Sequence, residues 1–336
     1  MPVLQKRPSL KGEAEGFWLW SGILFASFVF CYARVFAKLA MAWWSSYFYS
    51  YGFLIPVISL YIVWMQRDRL RKFEISPNAV IGGLVIIAGL ALLVAGDVYG
   101  TVSLPGLSLV AMIAGLTLFV FGGKFLKALW FPIVYLLFMV PFWDNITNVF
   151  QRQFQNFSAA LGSLILHAIG IPVYRESVYI ELPNITLKVA KECSGVNNLI
   201  AVIAIAVPLA VLTLRSWRRR AVLVFGGIVI SALYNSVRVA SIGAFAYYGV
   251  SKALHGPFHM FQALYVSLIG FAGLFVLAWL LSRGDIKPEG AKPAAKKNET
   301  GYPGPGRPDQ TKARFMAAAF VFVLLGIFLN FFFRVS

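Results

Sequence analysis

Long apolar runs divide this chain, and its basic residues gather on every second connection between them. A membrane-crossing helix needs about 20 predominantly apolar residues. Segments 17–40, 51–65, 79–96, 104–122, 125–142, 194–214, 221–240, 262–281 and 315–333 meet or approach that length, giving eight or nine expected spans. The composition agrees: 59% of residues are hydrophobic and 13% charged, against about 45–50% and about 25% in soluble domains. The expected fold is therefore an all-α, polytopic membrane bundle. The net charge of +17 does not point to nucleic acid, because the Lys and Arg residues fall in short clusters between apolar runs. The clusters are Lys6/Arg7/Lys11, Arg67/Arg69/Arg71/Lys72, Lys124/Lys127, Arg215/Arg218/Arg219/Arg220 and the Lys-rich segment 283–314. The positive-inside rule assigns all of them to the cytoplasmic side. Connections 41–50, 97–103, 143–193 and 241–261 then face outward, with the N-terminus inside. No small-residue cleavage site follows the first run, so an uncleaved first span is expected.

The outer connection 143–193 is the least membrane-like part of the chain. Residues 146–169 predict an amphipathic helix, with Phe150, Phe154, Phe157, Leu161, Leu164 and Ile165 at helical spacing against Gln151, Arg152, Gln155 and Asn156. Such a helix lies along the outer interface or packs back on the bundle. A crossing by it would place the basic loop at 215–220 outside. Next, Val178–Leu182 and Ile185–Val189 alternate around Pro183-Asn184, predicting a small hairpin that leads into Lys191-Glu192-Cys193-Ser194-Gly195. Segment 283–314, rich in Pro, Gly, Lys and Ala, is expected to be a disordered cytoplasmic linker. Residues 1–16 form a cytoplasmic N-terminus, 17–282 the main membrane domain, and 315–336 an accessory C-terminal helix.

Three groups on the outer face suggest chemistry. Cys193 sits where a charged stretch meets a long apolar helix, and a helix N-terminus lowers a thiol pKa. Gly195 permits close approach of another backbone. Arg238 follows sixteen mostly apolar residues from Val222 to Val237, so it lies near the outer end of a span at some depth. An arginine in such a place faces the bundle interior or a water-filled cavity, or else snorkels to the interface. Asn235, three residues earlier, shares its helical face and is placed to orient the guanidinium. His255 and His259, two of the chain's three histidines, precede the eighth span and suit general acid or base work. Their spacing would also suit a metal, but Pro257 disfavours a regular helix there and no carboxylate is near, so no metal or other cofactor is expected. His167 and Cys31 are expected to be structural. With two cysteines, the chain has no disulfide framework.

With these residues in view, the chain resembles the exosortase and archaeosortase family of membrane cysteine transpeptidases, over roughly residues 45–280. Ser50-Tyr51-Gly52-Phe53-Leu54-Ile55-Pro56 is similar to an early family motif, with Tyr51 where a His usually stands. Phe131-Pro132-Ile133, Val140-Pro141-Phe142 and Gly170-Ile171-Pro172-Val173 resemble the approach to the active site. Cys193-Ser194-Gly195 matches the nucleophile motif, Asn235-Ser236-Val237-Arg238 the Asn-x-x-Arg motif, and His255 the later histidine, which favours the bacterial exosortase branch. Val196-Asn197-Asn198 replaces the usual Leu-Arg type, and His259-Met260 the usual Gly-Trp.

The resemblance implies a multi-pass protein of the bacterial inner membrane that cuts exported proteins at a C-terminal sorting signal of the PEP-CTERM type. Cys193 would form a thioester, and an envelope acceptor would take the acyl group. Arg238 and His255 would share oxyanion stabilisation and proton relay, with Ser194, Gly195, Asn235 and His259 in support. The implied partners are substrate proteins, that acceptor and the lipid bilayer. Hydrolysis without transfer would use the same residues. A transporter or scaffold for exopolysaccharide export, with Arg238 lining an anionic pathway, is the alternative from a different class.

Overall fold

A computed structural model describes residues 10–45, 47–190, 194–250 and 257–283. It is mostly helical, at 79%, with ten α-helices among the described residues. Four helical segments are long and apolar enough to cross a membrane: Ala26–Ser45, Ala79–Val98, Ser103–Val120 and Trp217–Tyr247. The expected span at 315–333 and the linker before it lie outside the described residues. The chain forms two compact units, residues 1–45 with 63–140, and 46–62 with 141–336.

The first unit contains α1 (Leu10–Ser45), followed after α2 (Leu54–Met65) by α3 (Arg67–Leu70), α4 (Ala79–Val98), α5 (Ser103–Val120) and α6 (Gly123–Tyr135). Helices α4 and α5 form an antiparallel pair with a glycine seam. The buried residues of α4 are Gly82, Gly89 and Gly96, one every seven residues. A Cβ at Gly82 would lie 2.6 Å from the Phe119 backbone nitrogen, so the helices meet where side chains are missing. Asn78 caps α4 by accepting from the Ile81 amide at 3.1 Å. The predicted span 125–142 is shorter than expected as an α-helix. α6 tightens into a 3-10 turn over Leu136–Met139, and Val140 is extended. The cause is Pro141, which biases its predecessor away from helix.

In the second unit, a 3-10 helix (Tyr47–Phe53) leads into α2, which belongs here through Ile62. Then come α7 (Trp143–Ala168), strands β1 (Tyr174–Glu176), β2 (Tyr179–Leu182) and β3 (Ile185–Lys188), and helices α8 (Val196–Thr213), α9 (Trp217–Tyr247) and α10 (Pro257–Arg283). The expected hairpin is present in the register Leu182↔Ile185, but β1 pairs with β2 to make a three-stranded antiparallel sheet. Strand β1 gave no signal, since Tyr174-Arg175-Glu176 is wholly exposed and does not alternate. One apolar core joins α8, α9 and α10 through Val202, Leu209, Leu223 and Leu274; another joins α7 and α9 to the sheet through Leu166, Ile180, Val239 and Ala246.

Helix α7 packs back on α9, and it does so by small and polar residues. Phe150, Phe157 and Leu164 are exposed, while Ser158, Ala159 and Leu166 are buried. Against lipid, large apolar side chains can point outward, and small or polar ones make the helix contact. Gly162 is part of that contact: a Cβ there would meet Val239 Cγ1 at 2.9 Å.

Arginines tie the other end of this unit together. Arg220 donates from Nε to the Leu214 carbonyl at 2.9 Å, and from Nη2 to Val211 at 3.3 Å; Arg219 donates to Leu281 at 3.2 Å. The C-terminal ends of α8 and α10 therefore carry cations where their dipoles favour them. The same contacts set α8, α9 and α10 antiparallel in turn, so the N-termini of α8 and α10 lie toward the C-terminus of α9.

Candidate active site

Helix α8 has 18 residues and begins at Val196, two positions later than Ser194. Ser194 and Gly195 form a bend instead. The Ser194 Oγ accepts from the Val196 amide at 3.4 Å, and the Gly195 carbonyl accepts from Leu199 at 3.0 Å. Gly195 has φ +81, a left-handed conformation that side chains disfavour. A Cβ there would also lie 2.7 Å from Cγ of Asn235. The close neighbour predicted for this glycine is thus a side chain rather than a backbone.

Asn235 is fully buried and donates from Nδ2 to Ser158 Oγ at 2.9 Å. Ser158 in turn donates to the Ser194 carbonyl at 3.3 Å. This chain links α9, α7 and the bend before α8, and all three side chains are essentially inaccessible. Ser158 escaped the sequence reading, because one serine among the polar residues of an amphipathic helix carries no mark of burial.

Arg238 lies one turn beyond Asn235 and is 7% exposed. The expected span stopped at 240, which put Arg238 near a helix end; α9 runs on to Tyr247. At about 1.5 Å per residue, the 18 residues of α8 rise about 27 Å, close to the hydrocarbon thickness of about 30 Å. The 31 residues of α9 rise about 46 Å by the same measure. Its surplus extends past the start of α8 and supports the sheet through Val239, Ala240 and Ala246. Asn184, at the tip of the β2–β3 turn, donates to the Ala246 and Tyr247 carbonyls at 3.2 and 2.9 Å. Arg238 is therefore enclosed beside protein and is not a snorkelling side chain.

The structure thus brings Ser194, Gly195 and Asn235 together, with Arg238 next along α9. Cys193 and His255 lie outside the described residues. His259 falls in the first turn of α10, which Pro257 opens instead of interrupting. Proline suits the first helical position, where its missing N–H has no intrahelical acceptor. Ser50–Pro56 spans the 3-10 helix and the start of α2, and that 3-10 helix packs on α8. Outside the site, Cys31 is exposed on α1, and His167 is exposed on α7.

Long apolar helices, together with buried serine, asparagine and arginine at one end of a helical unit, define a multi-pass membrane protein with a polar site. The family model described as transmembrane exosortase matches residues 43–280, and the chain belongs to that family. No curated protein and no solved structure matches it.

Proposed function

We propose that the protein is a membrane cysteine transpeptidase acting on exported proteins that end in a PEP-CTERM-type sorting signal. The observation that carries this reading is the bend at Ser194–Gly195, fitted against Asn235 one turn from a buried Arg238, in a chain of the exosortase family. Cys193, joined directly to that bend, is the nucleophile. Its thiolate attacks the carbonyl carbon of a substrate peptide bond and forms a tetrahedral oxyanion. Collapse forms the thioester and breaks the C–N bond; the departing amine takes a proton and leaves with the C-terminal anchor. An envelope nucleophile then loses a proton and takes the acyl group, regenerating the thiol. Arg238 stabilises the oxyanion or the thiolate, and His255 carries the protons. Asn235 and Gly195 hold the bend, and His259 supports His255.

Eight or nine crossings, a cytoplasmic N-terminus and a periplasmic site in the bacterial inner membrane complete the proposal, with the catalytic domain at 17–282, a linker at 283–314 and an accessory helix at 315–336. The basic clusters on alternate connections support that orientation. The test is co-expression of a tagged reporter bearing the sorting signal with the native chain or with Cys193→Ala. Loss of reporter processing while the variant still accumulates in the membrane is expected. Normal processing by the variant removes the thiol from the mechanism and favours a transport or scaffold role.

A further inference from the structure

Two side chains on one face of α7 hold the chain on either side of residues 191–193. Gln155 donates from Nε2 to the Val189 carbonyl at 2.9 Å, just after β3. Ser158, three residues on, donates to the Ser194 carbonyl at 3.3 Å. Positions i and i+3 of a helix are neighbours, so the two anchors are set by one rigid element. Each anchored residue is also held through another of its groups. The Val189 amide donates to the Val178 carbonyl at 2.9 Å, and Ser194 is held through its own Oγ by the Val196 amide at 3.4 Å.

The direction of the relay gives Ser158 its value. The Asn235 Nδ2 group can only donate, so the Ser158 oxygen accepts from it and the hydroxyl proton is turned toward Ser194. An alanine at 158 would keep the helix contact and lose the orientation. Neither Gln155 nor Ser158 belongs to the motifs that carry the family resemblance.

We propose that Gln155 and Ser158 are positioning residues that clamp both sides of the Cys193 segment and so set the thiol for attack. The inference rests on Cys193 being the nucleophile, and it gives α7 a part in the reaction beyond packing. Displacements of about 1 Å can cost about a hundredfold in rate, so loosening one side should slow the chemical step by about ten- to a hundredfold.

The experiment uses the full chain in membranes, with Cys31→Ser so that Cys193 is the single thiol. Ser158→Ala, Ser158→Thr and Gln155→Glu are compared for reporter processing and for the pH dependence of alkylation by N-ethylmaleimide. Gln155→Glu keeps the size of the side chain and removes the donor. Ser158→Ala and Gln155→Glu should accumulate normally, process the reporter about ten- to a hundredfold more slowly, and alkylate with a profile displaced to higher pH. Ser158→Thr, which retains the hydroxyl, should recover most of the rate. Should Ser158→Ala fail to accumulate, Gln155→Glu, at a partly exposed position, decides. Wild-type processing and an unmoved profile would overturn the clamp, as would slower processing that only tracks lost protein. Cys193→Ala is run in parallel: if it processes the reporter, the nucleophile reading has failed, whereas an inactive Cys193→Ala beside fully active α7 variants defeats only the clamp.

Discussion

The two compact units both bury helices in apolar surroundings, yet their interiors are built on opposite plans. Of the ten buried polar residues among those described, Gln66 and Ser108 lie in the first unit and the other eight in the second. The first unit gains contact from omission: glycines every seven residues let α4 lie against α5. The second has Ser158, Ser194, Ser231, Asn235, Ser236 and Arg238 in its interior. A central arginine costs about 2.5–3.5 kcal/mol on insertion scales, and other buried polar groups cost as well unless they are hydrogen-bonded. Close packing dominates the first interior, whereas most of the buried polar groups lie in the second. On the proposed reading, the chemistry belongs to the second unit.

Arg238 tests that assignment directly. Arg238→Met keeps much of the side-chain volume and removes the charge, so the unit should still fold. Processing of the tagged reporter should fall by about a hundred- to a thousandfold, the usual cost of removing one oxyanion donor. Unchanged processing with normal accumulation would make the buried arginine a structural device.

Two glycines sharpen the contrast, because both are crowded and only one adjoins the proposed nucleophile. At Gly82, a Cβ would strike the Phe119 backbone at 2.6 Å, which cannot swing aside. Gly82→Ala should separate α4 from α5 at a cost of about 1–3 kcal/mol, read as a lower unfolding temperature in detergent. The protein that remains folded should process at its normal specific rate. At Gly195, alanine meets both the Asn235 side chain and a φ of +81. Gly195→Ala should cost a comparable amount of stability and, in addition, at least tenfold in specific rate, since the bend it distorts is bonded to Cys193. Equal specific rates in the two variants would end the distinction between scaffold and site.

Much of this was legible in the sequence, because hydropathy records helix existence well. Every expected span within the described residues contains a helix, and the hairpin register follows the alternation around Pro183-Asn184. The resemblance over roughly 45–280 corresponds to the family match at 43–280. What escaped depends on the partner a surface meets. The extension of α9 past residue 240 was hidden because Ser241 to Tyr247 is only moderately apolar and is stabilised by the sheet packed on it. The face by which α7 meets α9 was not legible, because Ser158 and Gly162 make that contact while the larger Phe150 and Phe157 stay exposed. Strand β1 owes its conformation to pairing with β2, since its own three residues have no apolar pattern.

The mildest substitution is the most discriminating about what a buried hydroxyl relay does. The first unit contains one too: the Tyr32 hydroxyl lies 2.6 Å from Ser108 Oγ, which donates to the Gly89 carbonyl at 2.7 Å. Because Ser108 spends its proton on Gly89, Tyr32 is the donor to Ser108, and the relay joins α1, α5 and α4 much as Asn235, Ser158 and Ser194 join α9, α7 and the bend. Tyr32→Phe removes one oxygen and leaves the ring beside Phe28, whose centroid is 5.1 Å away. Ser108 still has its acceptor, so nothing polar is stranded beyond one lone pair. Hydrogen bonds between membrane helices average about 0.6 kcal/mol and reach about 1.7 kcal/mol; a loss in that range should lower the unfolding temperature slightly and leave processing within about twofold of native. Both relays pass through a serine hydroxyl that donates to a backbone carbonyl, so any larger response to Ser158→Ala belongs to what the second relay holds. If Tyr32→Phe slowed processing as much as Ser158→Ala, the effect would be one of general helix packing, and the second unit would lose its separate claim to the chemistry.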